Sequence, residues 1–219
     1  MLHLKCKQSV KQKEYKGRNR TVLYDFAARV VKVFLWINGS KAKVFGKKHL
    51  PKEGGYIIAC THNGYVDIFN LGVSLLPKHI HFMAKKQLFE MKLLGPLVSN
   101  LNAFPVDREN PGPSVIKIPR QLIKEGKIVG IFPSGTRSQE NTDLKQGAIT
   151  IAQLSKAQIV PAAYVGPRNI GEVMKRQKGY LIYGEPFTVG AGKEARDEAA
   201  HHLEKELQRL TEEIKLKSK

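Results

Sequence analysis

The residues with the clearest capacity for chemistry are His62 and Asp67, which follow an apolar run at residues 56–60. That run is short and rich in β-branched and aromatic residues, so it predicts a buried strand, and the apolar pattern after it predicts a helix. On one continuous helix, side chains five positions apart point about 140° away from each other. The two residues can therefore meet only if the turn between them folds His62 back over the start of the helix.

The turn between these residues decides what they can do together. We expect Gly64 to permit the fold-back, because glycine adopts positive φ without penalty. Asp67 suits the helix N-terminus, where the dipole favours a carboxylate. There it can accept a hydrogen bond from one imidazole nitrogen, so that the other acts as a general base. A capping aspartate beside an unrelated turn histidine explains the same residues, and this stretch alone does not decide between the two.

Two other segments carry an arginine at the end of a predicted strand. Arg108 follows a short apolar segment at residues 103–106. The second segment follows the apolar strand predicted at residues 128–132 and contains Ser134, Gly135, Thr136 and Arg137. A guanidinium and the backbone N–H groups around a glycine both suit an anion such as phosphate, although a plain solvated loop has a similar composition. The second segment matches neither a P-loop nor the Gly-x-Ser-x-Gly elbow of a serine hydrolase.

Three further side chains favour structural roles. Cys60 is close to His62 in the sequence but lies within the apolar strand, where a free cysteine is commonly a small buried hydrophobe. His79 and His81 have the spacing of a metal-binding pair. No carboxylate or third histidine lies near them in the sequence, so we expect ordinary strand residues and no metal site.

The composition indicates a globular chain that is attracted to polyanions. Its 219 residues suffice for one α/β domain. The 37 Lys and Arg residues exceed the 19 Asp and Glu residues and give a formal net charge of +18. Nucleic acid, an anionic membrane surface, a phosphorylated substrate and an acidic carrier protein all fit that charge. The two cysteines make neither a disulfide framework nor a zinc cluster.

Residues 22–37 form the most hydrophobic early segment and predict an amphipathic helix. Asp25, Arg29 and Lys32 interrupt it, so we expect it to be too charged to span a membrane. The basic and polar residues before it have no apolar core, so we expect no cleavable signal peptide there. A wide apolar face with a narrow charged stripe suits a membrane interface, although a helix packed on a core looks similar. The basic residues before it favour the membrane, because they attract anionic head groups. We divide the chain into a basic leader and membrane-associating helix at 1–40 and a main domain at 41–219.

The remaining pattern predicts a single α/β domain with a mostly parallel central sheet flanked by helices. The predicted strands lie at residues 42–45, 56–60, 79–84, 103–106, 128–132, 159–165 and 179–183. The predicted helices lie at residues 66–76, after residue 85 with a break at Gly95-Pro96, and at 114–126, 148–155 and 193–216. Ligands of such folds usually bind at the carboxyl ends of the strands.

Four short blocks follow one another along the chain with compatible spacing. They are His62-x4-Asp67, a block from Lys85 and Leu88 to Arg108, Phe132-Pro-Ser-Gly-Thr-Arg-Ser138, and a strand centred on Val160-Pro161. Together they cover roughly residues 56–165 and resemble the bacterial 1-acylglycerol-3-phosphate acyltransferases of the glycerolipid acyltransferase superfamily.

The resemblance implies an enzyme that transfers a fatty acyl group from an acyl thioester to the sn-2 hydroxyl of 1-acylglycerol 3-phosphate. It implies no metal or redox cofactor, and acyl-carrier protein or acyl-CoA as donor. It also implies a peripheral protein on the cytoplasmic face of an anionic cell membrane. The implied residues are His62 and Asp67 for catalysis, Lys85, Arg108 and Arg137 for phosphate, and Ser134, Gly135 and Thr136 for the substrate-binding loop.

The chain departs from this family at two positions. Gly64 stands where the family often has serine, and Ser134 stands where it usually has glutamate, which rules out a carboxylate role there. Backbone N–H groups near Gly64 or Gly135 are the candidate donors for an oxyanion.

Three other functions stay open at this point. The same fold can act on another lysophospholipid or on glycerol 3-phosphate. The charge of +18 also suits a nucleic-acid-binding module, although the chain lacks interleaved aromatic residues and any recognised groove-reading motif. A hydrolase that uses Ser134 with His62 as its base is the third.

Overall fold

The computed structural model describes residues 18–92, 94–107, 112–134 and 138–218. The strands are β1 (Lys43–Phe45), β2 (Tyr56–Thr61), β3 (Ile80–Lys85), β4 (Phe104–Val106), β5 (Ile128–Ser134), β6 (Ile159–Val165) and β7 (Tyr180–Tyr183). The helices are α1 (Arg18–Ile37), α2 (Val66–Ser74), α3 (Lys86–Glu90), α4 (Leu94–Asn100), α5 (Ser114–Lys124), α6 (Ser138–Ser155), α7 (Ile170–Met174) and α8 (Gly192–Ser218). A 3₁₀ turn lies at Lys47–His49.

These strands form one mostly parallel sheet, which confirms the predicted fold class. Their order is β1-β7-β6-β2-β5-β3-β4. Strands β6, β2, β5, β3 and β4 run parallel to one another, whereas β7 is antiparallel to β6 and parallel to β1. The carboxyl ends of β2, β3, β4, β5 and β6 therefore share one edge of the sheet, and the sequence blocks that end those strands meet there.

The core lies on both faces of the sheet, because its central strands are apolar at nearly every position. In β2, Ile57 and Ala59 pack in a cluster with residues of α5, α6 and α8. The alternate residues Ile58 and Cys60 pack in a second cluster that contains Leu71 of α2. Helices on both faces explain the continuous apolar runs of β2, β5 and β6.

Some helices differ from the sequence prediction. Helix α6 begins at Ser138, ten residues before its predicted start. The sequence pattern does not reveal the first half of this helix, because that half is polar and carries no apolar periodicity. Gly95-Pro96 lies inside the first turn of α4 and not at a break, since proline is tolerated where the backbone N–H has no helical partner. The five-residue helix α7 was not predicted at all.

Helix α1 packs on the domain through a narrow face and leaves most of its apolar side chains exposed. Tyr24 and Leu35 are buried. The exposed large apolar side chains of α1 are Val22, Leu23, Phe26, Val30, Val33, Phe34, Trp36 and Ile37. Within the described ranges, no helix is long and apolar enough to cross a membrane. The division of the chain at residue 40 stays a prediction.

Candidate active site

His62 and Asp67 meet at the carboxyl edge of the sheet. His62 directly follows β2, and Asp67 lies in the first turn of α2. The imidazole Nδ1 lies 3.1 Å from Oδ2 of Asp67. Because a carboxylate only accepts hydrogen bonds, Nδ1 is the donor in this contact. The His62 side chain is 34% exposed and that of Asp67 is 0% exposed, so the expected fold-back of His62 over the helix start is confirmed.

The Asp67 carboxylate also organises the backbone of the turn. Its Oδ2 accepts the N–H of Asn63 at 2.8 Å and the N–H of Gly64 at 3.2 Å. Its Oδ1 accepts the N–H of Ile68 at 2.7 Å. A buried carboxylate is costly unless it is hydrogen-bonded, and these donors at a helix start offset that cost. The one side chain thus holds the turn and also contacts the imidazole, and the catalytic role of the pair stays a prediction.

Gly64 is required for space and not for its backbone angle. Its φ is not positive, so the expectation of a left-handed turn residue is wrong. A Cβ atom at this position would overlap the carbonyl oxygen of Arg168. That same oxygen accepts the N–H of Tyr65 at 2.9 Å. The segment after β6 therefore lies directly against the turn and holds it closed.

Tyr164 of β6 ties the turn to the sheet. Its backbone N–H donates to Oγ1 of Thr61 at 3.0 Å, and its carbonyl accepts Nδ2 of Asn63 at 3.2 Å. Its hydroxyl accepts Nδ2 of the buried Asn70 at 3.2 Å. Burial raises the pKa of the Tyr164 phenol, so it acts as a neutral hydrogen-bonding group.

Aromatic rings cover one side of the imidazole. The centroids of the His62 and Phe132 rings lie 4.7 Å apart with a 35° tilt. Phe132 in turn stacks on Phe82, with centroids 5.8 Å apart. These contacts restrict the orientation of His62 and place an apolar wall beside it.

Cys60 has the buried structural role that the sequence favoured. It is fully buried, and burial raises the pKa of its thiol well above the ordinary value, with the Asp67 charge adding to the effect. A buried, protonated thiol is not a nucleophile.

The predicted anion ligands start from the same edge of the sheet. Lys85 is the exposed last residue of β3 and pairs with Val106 at the end of β4. Ser134 ends β5, and its backbone pairs with Thr61, the residue before His62. The side chain of Ser134 lies outside what the structure describes. Arg108, Gly135, Thr136 and Arg137 also lie outside the described residues, so their roles stay predictions.

The backbone N–H groups around Gly64 already donate hydrogen bonds within the protein. The N–H groups of Asn63 and Gly64 donate to Asp67, and that of Tyr65 donates to Arg168. These three N–H groups are therefore engaged in this conformation of the turn, and an oxyanion role for N–H groups near Gly64 stays a prediction. Gly135 stays a candidate from the sequence.

His79 and His81 have separate environments. His79 Nε2 lies 2.8 Å from Oδ1 of Asp25 in α1, so a carboxylate does lie nearby, supplied from 54 positions away. His81 is partly buried, and burial lowers its pKa from the ordinary value of 6.5 to about 4. In the described part of the chain, no group of three or more His, Cys, Asp or Glu side chains is placed to hold a metal ion.

Sequence reasoning missed several residues that shape the site. Asn70 left one signal, since a buried asparagine in an otherwise apolar helical pattern has to find partners. Phe132 belongs to the block at residues 132–138, but its residue type alone predicts no contact with His62. Arg168 acts through its carbonyl oxygen, and a backbone contact of this kind leaves no mark on the side-chain pattern.

Comparison with known proteins gives the class to which this fold and site belong. The sequence profile of the acyltransferase family matches residues 41–165, which span β1 to β6 and include the whole turn. The chain therefore belongs to the acyltransferase family, and it is an enzyme of that class.

Particular relatives are more informative still. The chain is 55% identical over 165 residues to the 1-acyl-sn-glycerol-3-phosphate acyltransferase of Bacillus subtilis, which covers 75% of this chain and 82% of the relative. It is 31% identical to the enzyme of the same name from Streptococcus pneumoniae, over 92% of this chain and 80% of the relative. The crystal structure of the 1-acyl-sn-glycerophosphate acyltransferase PlsC from Thermotoga maritima has the same fold, with a TM-score of 0.62 and 21% identity over 90% of this chain and 84% of that one.

Proposed function

We propose that this acyltransferase transfers a fatty acyl group from an acyl thioester to the sn-2 hydroxyl of 1-acylglycerol 3-phosphate and so forms phosphatidic acid. The observation that carries the proposal is the His62–Asp67 contact at the carboxyl edge of the sheet, in a chain so similar to two enzymes named for this reaction. Of the functions weighed from the sequence, acyl transfer is the one that the comparisons support.

The proposed reaction uses His62 as a general base. Nε2 takes the proton of the glycerol hydroxyl while the hydroxyl oxygen attacks the thioester carbonyl carbon. The tetrahedral intermediate then collapses, the C–S bond breaks, and His62 returns the proton to the departing thiolate. The products are an ester and a free thiol. Asp67, through its bond to Nδ1, holds the imidazole in the required tautomer and stabilises its protonated form, and general-base help of this kind contributes about 10²–10⁴-fold in rate.

Basic residues at the same edge would bind the phosphate of the acceptor. Lys85 is exposed at the end of β3, and β3 lies directly beside β5 in the sheet. Arg108 and Arg137 are assigned from the sequence blocks alone, and a planar guanidinium suits phosphate oxygens. The loop at Ser134, Gly135 and Thr136 would contact the glycerol backbone. No metal or redox cofactor takes part in this scheme.

The membrane is the proposed location of the reaction. The acceptor is a lysolipid, and the exposed apolar side chains of α1 together with the net charge of +18 support peripheral binding to an anionic surface. We propose the cytoplasmic face, where acyl-carrier protein and acyl-CoA are available. Both donors are anionic, and the positive charge fits either of them.

Acceptor profiling of the purified protein tests the proposed function. The protein is incubated with an acyl-CoA or acyl-carrier protein and, in parallel, with 1-acylglycerol 3-phosphate, lysophosphatidylcholine or glycerol 3-phosphate, and the products are measured by mass spectrometry. We expect phosphatidic acid from the first acceptor and at least tenfold less product from the others. Preferred acylation of glycerol 3-phosphate or of an acceptor without a free phosphate would overturn the assignment of the substrate.

A further inference from the structure

The short helix α7 exposes two large apolar side chains beside the active-site turn. Ile170 is 67% exposed and Met174 is 61% exposed, whereas Val173 between them is 1% exposed. Residues four apart lie on the same face of a helix. Val173 therefore anchors α7 to the domain while Ile170 and Met174 point outward together.

Exposed basic residues follow this apolar pair. They are Lys175, Arg176 and Lys178. Arg176 adopts the left-handed conformation with φ of 60° at the end of α7, a position where glycine is the usual residue. Arg168, before the helix, already pairs with Glu172 at 2.9 Å. The unbalanced positive charge of this segment therefore lies at the Met174 end of the apolar pair.

Helix α7 packs against α1 through its buried side. Val173 packs in one buried cluster with Leu35 of α1, and Val31 of α1 packs against that cluster. Ser40, just after α1, donates from Oγ to the carbonyl of Gln177 at 2.7 Å. The two elements are thus fixed to each other.

We propose that α7 and the basic residues 175–178 form a second membrane contact, in which Ile170 and Met174 enter the interface of an anionic bilayer. Apolar side chains flanked by lysine and arginine are the chemistry that binds such a surface. The proposal rests on the proposed function in so far as the acceptor is a membrane lipid. The segment lies beyond residues 41–165, to which the family profile is limited.

The location of α7 gives this contact a direct link to catalysis. The carbonyl of Arg168, two residues before α7, accepts the N–H of Tyr65 and blocks any side chain at position 64. Tyr65 itself is 75% exposed. A bilayer bound at α7 therefore lies next to the turn that carries His62, where a lysolipid has to present its hydroxyl.

Binding to lipid vesicles tests the proposal without any acyl transfer. The purified protein of 219 residues is sedimented with vesicles of equal phosphatidylglycerol and phosphatidylcholine, and with vesicles of phosphatidylcholine alone. We expect the double variant Ile170→Ser, Met174→Ser to bind the anionic vesicles roughly tenfold more weakly or worse, because two apolar side chains no longer leave water. The matched control, Leu154→Ser with Leu216→Ser, removes two exposed apolar side chains elsewhere and should bind as the wild type does.

A charge variant keeps the test decisive if the double variant fails to fold. Arg176→Gly removes one charge and replaces a left-handed arginine by the residue that prefers this conformation. We expect about fivefold weaker binding to the anionic vesicles and no change on phosphatidylcholine. Lys124→Gln, at an exposed position on α5, is its matched control.

The outcomes separate this proposal from the proposed function. Wild-type vesicle binding by folded α7 variants, or by Arg176→Gly, would overturn the membrane contact. If these variants bound vesicles normally but lost self-association, the face would be assigned to a second copy of the chain. Weaker binding of the α7 variants would support the contact even if the protein failed to acylate 1-acylglycerol 3-phosphate. In that case the proposed function alone would be wrong.

Discussion

At the scale of single residues, Asp67 contacts both His62 and the backbone of the turn. Its carboxylate accepts hydrogen bonds from three backbone N–H groups and from His62. The position of the imidazole therefore depends on the same side chain that builds the turn. A loss of Asp67 should affect both the stability and the chemistry, whereas a loss of His62 leaves the turn with its backbone bonds.

Asp67→Asn should reveal this double role. The amide nitrogen cannot accept a hydrogen bond, so at least one of these partly buried N–H groups loses its partner, at a cost of about 1–3 kcal/mol in the free energy of unfolding. We also expect kcat to fall by about 10²-fold or more, because the tautomer of His62 is no longer held. Urea unfolding and steady-state kinetics measure the two effects. The exposed Asp197→Asn on α8 is the control, and a fully active Asp67→Asn would contradict the assignment.

Gly64→Ala tests the close approach of Arg168. The added methyl group has no room beside the Arg168 carbonyl, so the turn has to shift and we expect destabilisation of about 1–3 kcal/mol with at least tenfold lower activity. Gly112→Ala is a matched control, since nothing lies within 4 Å of its added Cβ. Equal melting temperatures and rates for both variants would show that the Arg168 segment moves away from position 64 at little cost in free energy.

At the scale of elements, the sheet was more predictable from the sequence than the helices. Strands β2, β5 and β6 are apolar runs bounded by turn residues, and a buried parallel strand produces that pattern. Helix α6 starts among polar residues 138–143, where amphipathic periodicity is weak, and α7 is too short to show any period. The periodicity of apolar residues in the sequence reflects which side of a segment is buried. Segments that lie on the surface therefore show little periodicity from which to predict them.

Gly147→Ala should stabilise the interior of α6. Nothing lies within 4 Å of a Cβ atom at this position, and alanine is favoured over glycine inside a helix by roughly 0.5–1 kcal/mol. The midpoint of urea unfolding should therefore rise. Gly55→Ala is the opposite case, because its Cβ would overlap the backbone of Ile123, and its midpoint should fall. A lower midpoint for Gly147→Ala would mean that α6 is not a regular helix there.

At the scale of the whole molecule, the sequence could place the residues of the site on one edge but could not predict the contacts that lock them. His62, Ser134 and Lys85 each follow or end a parallel strand, so topology alone brings their backbones together. The contacts of Arg168 with the turn and of Asp25 with His79 join segments that are distant in the chain. Such pairings follow from the packing of complete elements and not from local spacing.

The partly buried His81 should make the stability of the whole domain depend on pH. Burial lowers the pKa of His81 from 6.5 to about 4 in the folded chain, so between these values the unfolded chain binds a proton that the folded chain does not. The stability is complete above about pH 6.5 and should fall by about 3 kcal/mol as the pH approaches 4. Urea unfolding of His81→Gln should show a flatter dependence, and the exposed His201→Gln should match the wild type. A wild-type slope in His81→Gln would exclude His81 as the source.

The most direct test of the central claim is the rate of phosphatidic acid formation by purified His62→Ala. The variant keeps the backbone hydrogen bonds of Asp67, so we expect a melting temperature close to that of the wild type, and His201→Ala serves as the control. With acyl thioester and 1-acylglycerol 3-phosphate both saturating, loss of the general base should lower kcat by about 10²–10⁴-fold. A folded His62→Ala variant that forms phosphatidic acid at the wild-type rate would contradict the account.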